Sequence, residues 1–463
     1  MQKYKRYAYA ASFLVALALA LGLWKPVGPA KASSHGIPHF RVDPFWPKPM
    51  PVTVTSGVAH TWVLGEVAGS CVDAHDNVYT FNRGWETGIT PPGGTTAQGS
   101  ESGAIVGQDA SASSIPSPPV VAFDPDGNVV VAFGNPALIP YPQPNYGAAA
   151  YMPHGAHGCY VDYQGNIWVG GNGDGIVQKY PADGGGGVYT LQIGVKGQCD
   201  GAPAATPAAV FPTCNETNST NSSHTLLNEP ADIAVDPRVG PISHMTGDIY
   251  IADGYGNHRV VVFDRTGKYL TQFGTNCGQV SQSCPNGAFG ATGGGHPHCV
   301  VLGNDDLVYA CDRPNSRIQV FTKTGTFVKL LPINSFPGAT ADKRAAILLA
   351  GTRACDIDFY PNQDTLGGTG RASQKYIIDV DLGNDNTWIL ERASGTVIGA
   401  LGRCGFAPCP GHNAGNFAFG HTTASDSRGN VYVAETITGR RIQKFVRSDD
   451  DDDHDDGGRG GDD

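Results

Sequence analysis

A pattern of four short apolar strands recurs six times in this chain, and the recurrence restricts the fold more than any other feature of the sequence. Each copy has an apolar strand that usually ends in Asp, a tight turn that often contains Gly-Asn, a returning strand and two further strands. Two clear copies begin at residues 230–237, "PADIAVDP", and at residues 297–303, "PHCVVLG". Such turns between alternating strands indicate antiparallel hairpins, and tandem hairpin units indicate a propeller. The sequence therefore predicts an all-β fold, a six-bladed β-propeller.

The last copy lacks a fourth strand, because it stops at Phe445 after its third. Residues 61–67, "TWVLGEV", precede the first copy and resemble fourth strands such as "YLTQFG". A ring that is closed by a strand from the other end of the chain leaves few exposed sheet edges. We therefore expect a propeller over residues 58–446 that is closed by an N-terminal strand at 61–67.

The two ends of the chain differ from the repeats in composition. Basic residues at 3–6 precede an apolar run and a small-residue cleavage signal at 30–32, so residues 1–32 are predicted to be a secretory signal peptide. The alternative, an uncleaved membrane anchor, is disfavoured because the apolar run is short. Residues 447–463 contain nine Asp and supply most of the net charge of −11, which predicts a disordered acidic tail. The chain is therefore expected to be periplasmic or secreted, without stable membrane insertion after cleavage.

If the protein is exported, some of its 11 cysteines are expected to form disulfides, because the compartment outside the cytoplasm is oxidising. Short spacings in loops favour three pairs: Cys277 with Cys284, Cys404 with Cys409, and Cys199 with Cys214. Because the total is odd, at least one cysteine cannot pair within the chain, so it is expected to be a free thiol or to form a disulfide with another chain.

The start of the first strand in each blade carries the most informative residues. Equivalent positions of six blades form a ring about the propeller axis. Counting back five residues from the aspartate that ends each first strand, or from its counterpart, gives Ala68, His157, Ala231, His298, Arg353 and His421. The histidines fall in alternate blades, so their imidazoles should converge at the mouth of the central channel. Three imidazoles that leave open positions are typical of catalytic zinc. The sequence predicts a metal site with His157, His298 and His421 as ligands. His154 and His296 lie just before two of these ligands and are expected either to support them or to lie at the surface.

The loop after the second strand of each blade returns to the histidine face. The loops "FNRGW", "DGYGN" and "DRPNSR" therefore place Arg83, Tyr255 and Arg313 around the mouth. Asp-x-x-Asn-x-Arg is also ordinary turn chemistry, in which Asp253 and Asp312 would bond to loop amides. Arg83 belongs to no such turn motif, which favours a functional role for it.

Together these motifs resemble the NHL-repeat propeller of the peptidyl-α-hydroxyglycine α-amidating lyases. The resemblance covers about residues 60–446 and rests on "FNRGW", "HGCYVD", "DGYGNHRVVVF", "PHCVVL" and "DRPNSRIQVF". In that family three blade histidines bind a catalytic zinc, and the matching positions are the three histidines of the ring. The essential tyrosine of the family matches Tyr255 and its essential arginine matches Arg83. Thr422 stands where the family has an aspartate that helps to bind structural calcium, which makes calcium doubtful here, and Phe419 replaces a methionine that lines the site.

The resemblance implies a zinc-dependent lyase that cleaves the N–C bond of an α-hydroxyglycine-type carbinolamide to an amide and glyoxylate. Tyr255 would act as base, Arg83 would receive the substrate carboxylate and Arg313 would assist binding. The substrate would be a small molecule or derived from a peptide, and no basic surface indicates nucleic-acid binding. Two alternatives remain open: an NHL-propeller binding scaffold without a metal, and a lactonase-like propeller hydrolase, whose metal sites favour oxygen ligands and calcium.

Overall fold

The computed structural model describes residues 37–55, 57–83, 114–134, 152–153, 155–201, 219–278, 284–290, 296–333, 354–362 and 373–448. The predicted signal peptide, the acidic tail from residue 449, His154, Cys214 and Arg353 lie outside these residues. The described chain is almost entirely β-structure, with short 3-10 helices at Asn172–Asp174, Gly184–Gly187, Arg313–Asn315 and Leu382–Asn384. None of its helices has the length and apolarity needed to cross a bilayer.

Six four-stranded antiparallel sheets form the blades, numbered here in chain order. Blade 1 consists of Val67–Val72, Val78–Asn82, Val120–Phe123 and Val129–Phe133. Blade 2 consists of Ala156–Val161, Ile167–Gly171, Ile176–Tyr180 and Leu191–Ile193. Blade 3 consists of Asp232–Val235, Ile249–Asp253, Arg259–Phe263 and Tyr269–Phe273.

The second half of the ring repeats this arrangement. Blade 4 consists of Val300–Leu302, Leu307–Asp312, Arg317–Thr322 and Phe327–Pro332. Blade 5 consists of Asp356–Tyr360, Tyr376–Asp381, Asn386–Glu391 and Val397–Ala400. Blade 6 consists of Gly420–Ser425, Val431–Glu435, Arg441–Ser448 and His39–Asp43. The predicted six-bladed propeller is confirmed.

The hydrophobic core lies between the blades. Each pair of neighbouring blades shares one buried apolar cluster, and together these clusters complete the ring. Between blades 4 and 5, for example, the rings of Tyr309 and Phe359 meet edge to face at 4.9 Å. Because both faces of a sheet are covered, strands such as Arg259–Phe263 are buried along their whole length. The first strands face the axis and line a central channel.

The prediction that residues 61–67 close the ring is wrong. His39–Asp43 pairs antiparallel with Arg441–Ser448 and places Val42 opposite Phe445. Val58–Val63 instead belongs to a small separate sheet with Val52–Thr55 and Ser114–Pro116.

The reason is that the predicted segment overlaps blade 1. Its last residue, Val67, begins the first strand of that blade. The outermost strand of a blade lies about 14 Å from the innermost, so Val67 cannot also end the outer strand of blade 6. The described strands of the propeller run from His39 to Ser448, a wider span than the predicted 58–446.

Disulfides tie several strands together. The predicted bonds Cys277–Cys284 and Cys404–Cys409 are confirmed. Two bonds that short spacing does not reveal are Cys71–Cys159, which links blades 1 and 2, and Cys299–Cys311, which joins the residue before the first strand of blade 4 to its second strand. Cys355 is a buried thiol. Four disulfides within the described residues are typical of exported proteins.

Candidate metal centre

Three histidines from alternate blades meet at the channel mouth. All three side chains are buried, and a potential ligand atom from each lies within 4.8 Å of those of the other two. The ring centroids of His157 and His421 are 4.6 Å apart, and those of His298 and His421 are 5.1 Å apart. The structure therefore brings His157, His298 and His421 together, as the repeat pattern predicts.

The three imidazoles share one hydrogen-bonding pattern. In each, Nδ1 lies within hydrogen-bonding distance of a main-chain carbonyl oxygen of the next blade: His157 with Ala231 at 2.6 Å, His298 with Cys355 at 2.5 Å, and His421 with Ala68 at 2.8 Å. A carbonyl oxygen can only accept, so Nδ1 carries the hydrogen in each ring. The Nε2 atoms are therefore left with lone pairs, which is the form that binds a metal.

These contacts correct the ring position that was predicted for blade 5. The carbonyls of Ala68 and Ala231 occupy predicted ring positions, but the third acceptor is Cys355 rather than Arg353. Asp356 begins the first strand of blade 5 as Asp232 begins that of blade 3. The strand ends at Tyr360, so counting from the earlier Asp358 shifts the position by two residues.

The electrostatics of the site favour a neutral imidazole at His298. Burial lowers the pKa of His298 well below its usual range, and the charge of Arg313 and the two neighbouring histidines lower it further. Three neutral imidazole nitrogens suit zinc and similar transition metals, and they suit the oxygen-seeking calcium poorly. The residues present therefore fit a zinc ion that has three protein ligands.

Tyr255 contacts two of the three imidazoles. Its hydroxyl oxygen lies 2.9 Å from Nε2 of His298 and 3.4 Å from Nε2 of His157. The tyrosine follows the second strand of blade 3, and its main-chain N–H donates to the carbonyl of Glu229 at 3.3 Å. The structure thus places the phenol oxygen at the nitrogen atoms that would bind the metal.

Arg313 reaches the same point from blade 4. Its Nη1 lies 3.1 Å from Nε2 of His298, and its Nη2 donates to the hydroxyl oxygen of Tyr255 at 3.3 Å. The guanidinium also lies 5.5 Å from the centre of the Tyr255 ring. The family resemblance implies only an assisting role for Arg313, whereas its contacts make it an immediate neighbour of both His298 and Tyr255.

Arg83 is placed differently. Its Nε donates to the carbonyl of Ala156 at 2.9 Å, and its Nη1 lies 3.7 Å from the carboxylate of Glu66. Ala156 precedes His157, so Arg83 lies beside the strand that carries this histidine. Within the described part of the chain, these contacts of Arg83 are to the wall of the site rather than to Tyr255 or the imidazoles.

Below the histidines, carboxylates line a central cavity of about 390 Å³. Burial raises the pKa of Asp232 to about 7, that of Asp358 to about 6, and that of Asp356 well above its usual range. Thr422, which follows His421, lies in the same cavity and its hydroxyl is 2.9 Å from that of Ser70.

The fold and the site together define an NHL-type propeller with a three-histidine centre. The model of the NHL repeat matches residues 295–321, which include His298 and Arg313. The chain is similar to peptidyl-glycine alpha-amidating monooxygenase B of Xenopus laevis, with 26% identity over 279 residues, or 59% of this chain and 25% of that protein. It is also similar to peptidyl-alpha-hydroxyglycine alpha-amidating lyase 1 of Drosophila melanogaster, with 29% identity over 181 residues, or 38% of this chain and 26% of that protein.

The chain is therefore similar, at low identity and over part of its length, to the peptidylglycine amidating enzymes. The matched region spans about a quarter of the length of each of these two relatives. Among solved structures, a streptogramin B lyase aligns with 83% of this chain and 94% of its own, at 13% identity and a TM-score of 0.43.

Proposed function

We propose that this protein is an exported zinc-dependent lyase that cleaves α-hydroxyglycine-type carbinolamides to an amide and glyoxylate. The observation that carries the proposal is the convergence of the Tyr255 hydroxyl and the Arg313 guanidinium on the Nε2 side of the histidines. The similarity to a lyase named for this reaction supports it. The disulfides support an exported location, in the periplasm or outside the cell.

The reaction needs the net transfer of one proton and the cleavage of one bond. The substrate hydroxyl loses its proton, the N–C bond breaks, and the nitrogen gains a proton, so that an amide and the aldehyde of glyoxylate result. A zinc ion held by His157, His298 and His421 would act as a Lewis acid that lowers the pKa of the substrate hydroxyl toward neutrality. Tyr255 in its phenolate form would take the hydroxyl proton on its oxygen, become the neutral phenol, and return the proton to the leaving nitrogen.

The two arginines supply positive charge. Arg313 donates to the oxygen of Tyr255, which favours negative charge on that oxygen during proton transfer. The same guanidinium is suited to bind the substrate carboxylate, since planar Arg–carboxylate pairing uses two parallel hydrogen bonds. Arg83, beside Ala156, would contribute to carboxylate binding from the opposite wall.

The test combines elemental analysis with a glyoxylate assay on N-acyl-α-hydroxyglycines of varied acyl group. We expect about one zinc per chain and glyoxylate release, and His157→Ala, His298→Ala and His421→Ala should each lose most of both. His224→Ala is the control, because this exposed histidine stacks on Tyr269 away from the three-histidine centre. A protein without zinc would favour a binding scaffold, and a calcium-dependent esterase activity would favour a hydrolase. Full zinc and activity in the His157→Ala and His421→Ala variants would refute the site.

A further inference from the structure

A fourth histidine lies behind the metal centre. His296 is completely buried, and its Nδ1 lies 2.7 Å from Oδ1 of Asp312. Its main-chain N–H donates to the carbonyl oxygen of Gly254 at 3.1 Å. Since a carboxylate oxygen accepts, the Nδ1–H tautomer is the one present when His296 is neutral. Its Nε2 makes no hydrogen bond with the described residues, so the only polar tie of the ring in this part of the chain is to Asp312.

The partners of His296 stand directly before the groups of the site. Gly254 precedes Tyr255, and Asp312 precedes Arg313. His296 itself lies two residues before His298. One residue therefore connects the three chain segments that carry the base, the arginine and a metal ligand.

The anchor of His296 is itself rigid. Oδ2 of Asp312 accepts from Nε of Arg317 at 2.6 Å and from Nδ2 of Asn315 at 3.0 Å. The ring of His296 packs closely over Gly290, because a Cβ added there would come within 2.7 Å of its Cε1 atom. A ring that is hydrogen-bonded to Asp312 and packed against the main chain at Gly290 can hold neighbouring segments in register.

We propose that His296 is a positioning residue that aligns Tyr255, Arg313 and His298 with one another through Asp312 and Gly254. It does not touch the reacting atoms. The effect on turnover rests on the proposed lyase function, whereas the effect on His298 does not. Removing the Nδ1 donor breaks the hydrogen bond to Asp312, so Arg313 and His298 are held less firmly in place. Losing a hydrogen bond that supports a metal ligand typically costs about 10–100-fold in metal affinity or activity.

Two amide substitutions separate positioning from packing. In His296→Asn the side-chain NH2 takes the place of Nδ1 and can still donate to Asp312. In His296→Gln the amide lies near the place of Nε2 and cannot. Both variants are uncharged and similar in polarity, so a requirement for packing alone predicts no rescue by the shorter Asn. His224→Gln is the control at an exposed site.

The experiment measures zinc affinity by chelator competition, glyoxylate turnover at saturating zinc, and the melting temperature. We expect His296→Gln to lose about 10–100-fold in zinc affinity and in turnover, with His296→Asn within about threefold of wild type. If the wild-type protein releases no glyoxylate but His296→Gln alone binds zinc more weakly, the lyase proposal is wrong and the positioning role stands. Wild-type zinc affinity and turnover in His296→Gln, or equal losses in both variants, would overturn the positioning role.

Discussion

At the scale of single residues, the oxygen of Tyr255 carries most of the proposed chemistry. It contacts Nε2 of two histidines and receives a hydrogen bond from Arg313. The aromatic ring contributes packing to the cluster between blades 3 and 4. The hydroxyl can therefore be removed without removing the ring.

Tyr255→Phe should fold and bind zinc as the wild type does, while turnover should fall by about a hundredfold or more, the scale for a lost proton-transfer group. Zinc content and glyoxylate release, measured side by side, check this. Arg313→Lys is an informative companion, because it keeps the charge but loses the planar donor pair. Wild-type turnover in Tyr255→Phe would exclude the lyase mechanism and favour a hydrolase that uses the same histidines.

The site was predictable from the sequence where it depends on repeat symmetry. The three histidines occupy one position of the repeat, so counting residues from each turn placed them together. Cys355 was missed because the first strand of blade 5 ends in Tyr360 rather than Asp. Aligning "CDIDFYP" with "ADIAVDP" through their shared proline would have placed it. Side-chain contacts outside the repeat pattern, such as that of His296 with Asp312, follow from packing and leave no periodic signal.

At the scale of elements, the hydrogen bonds of the turns explain why the hairpins of the blades are predictable from the sequence. Oδ1 of Asp162 accepts from the main-chain N–H groups of Gln164 and Asn166, both at 2.9 Å. Oδ1 of Asp426 accepts from Arg428 and Asn430 in the same way. Such Asp-capped turns fix each hairpin locally. The closing strand His39–Asp43 comes from the other end of the chain and follows no such turn from its neighbour Arg441–Ser448, which is why the sequence assigns it to the wrong segment.

The closing strand can be tested with matched substitutions. Val42→Asp places a charge opposite Phe445 and should lower the free energy of unfolding by about 2–3 kcal/mol. Val54→Asp is the control, because Val54 is 66% exposed in the small separate sheet and should tolerate the change. Thermal and urea unfolding of both variants give the comparison. A Val42→Asp protein as stable as Val54→Asp would contradict closure by His39–Asp43.

At the scale of the whole molecule, acidic side chains of the first strands line the cavity at the axis. The carboxylates of Asp356 and Asp358 line the channel beside blade 6, where Asp356 accepts from the main-chain N–H of Thr423 and Asp358 from the hydroxyl of Ser425. Burial raises their pKa values despite these hydrogen bonds. The stability of the protein therefore depends on pH through carboxylates that lie below the three histidines.

Asp358 offers the cleanest measurement of this dependence. Burial raises its pKa to about 6, whereas an aspartate in an unfolded chain titrates near about 3.9. A raised folded-state pKa means that its contribution to stability is fully present below about pH 4 and is lost as the pH rises through 6. Asp358→Asn stays neutral at every pH, so its stability relative to wild type should rise between pH 4 and pH 8 by up to about 2 kcal/mol. A changed hydrogen bond to Ser425 would shift the stability of Asp358→Asn relative to wild type by the same amount at pH 4 and at pH 8. Asp126→Asn, at an exposed turn, is the control. A stability difference between Asp358→Asn and wild type that stays constant from pH 4 to pH 8, measured by thermal unfolding, would disprove the prediction.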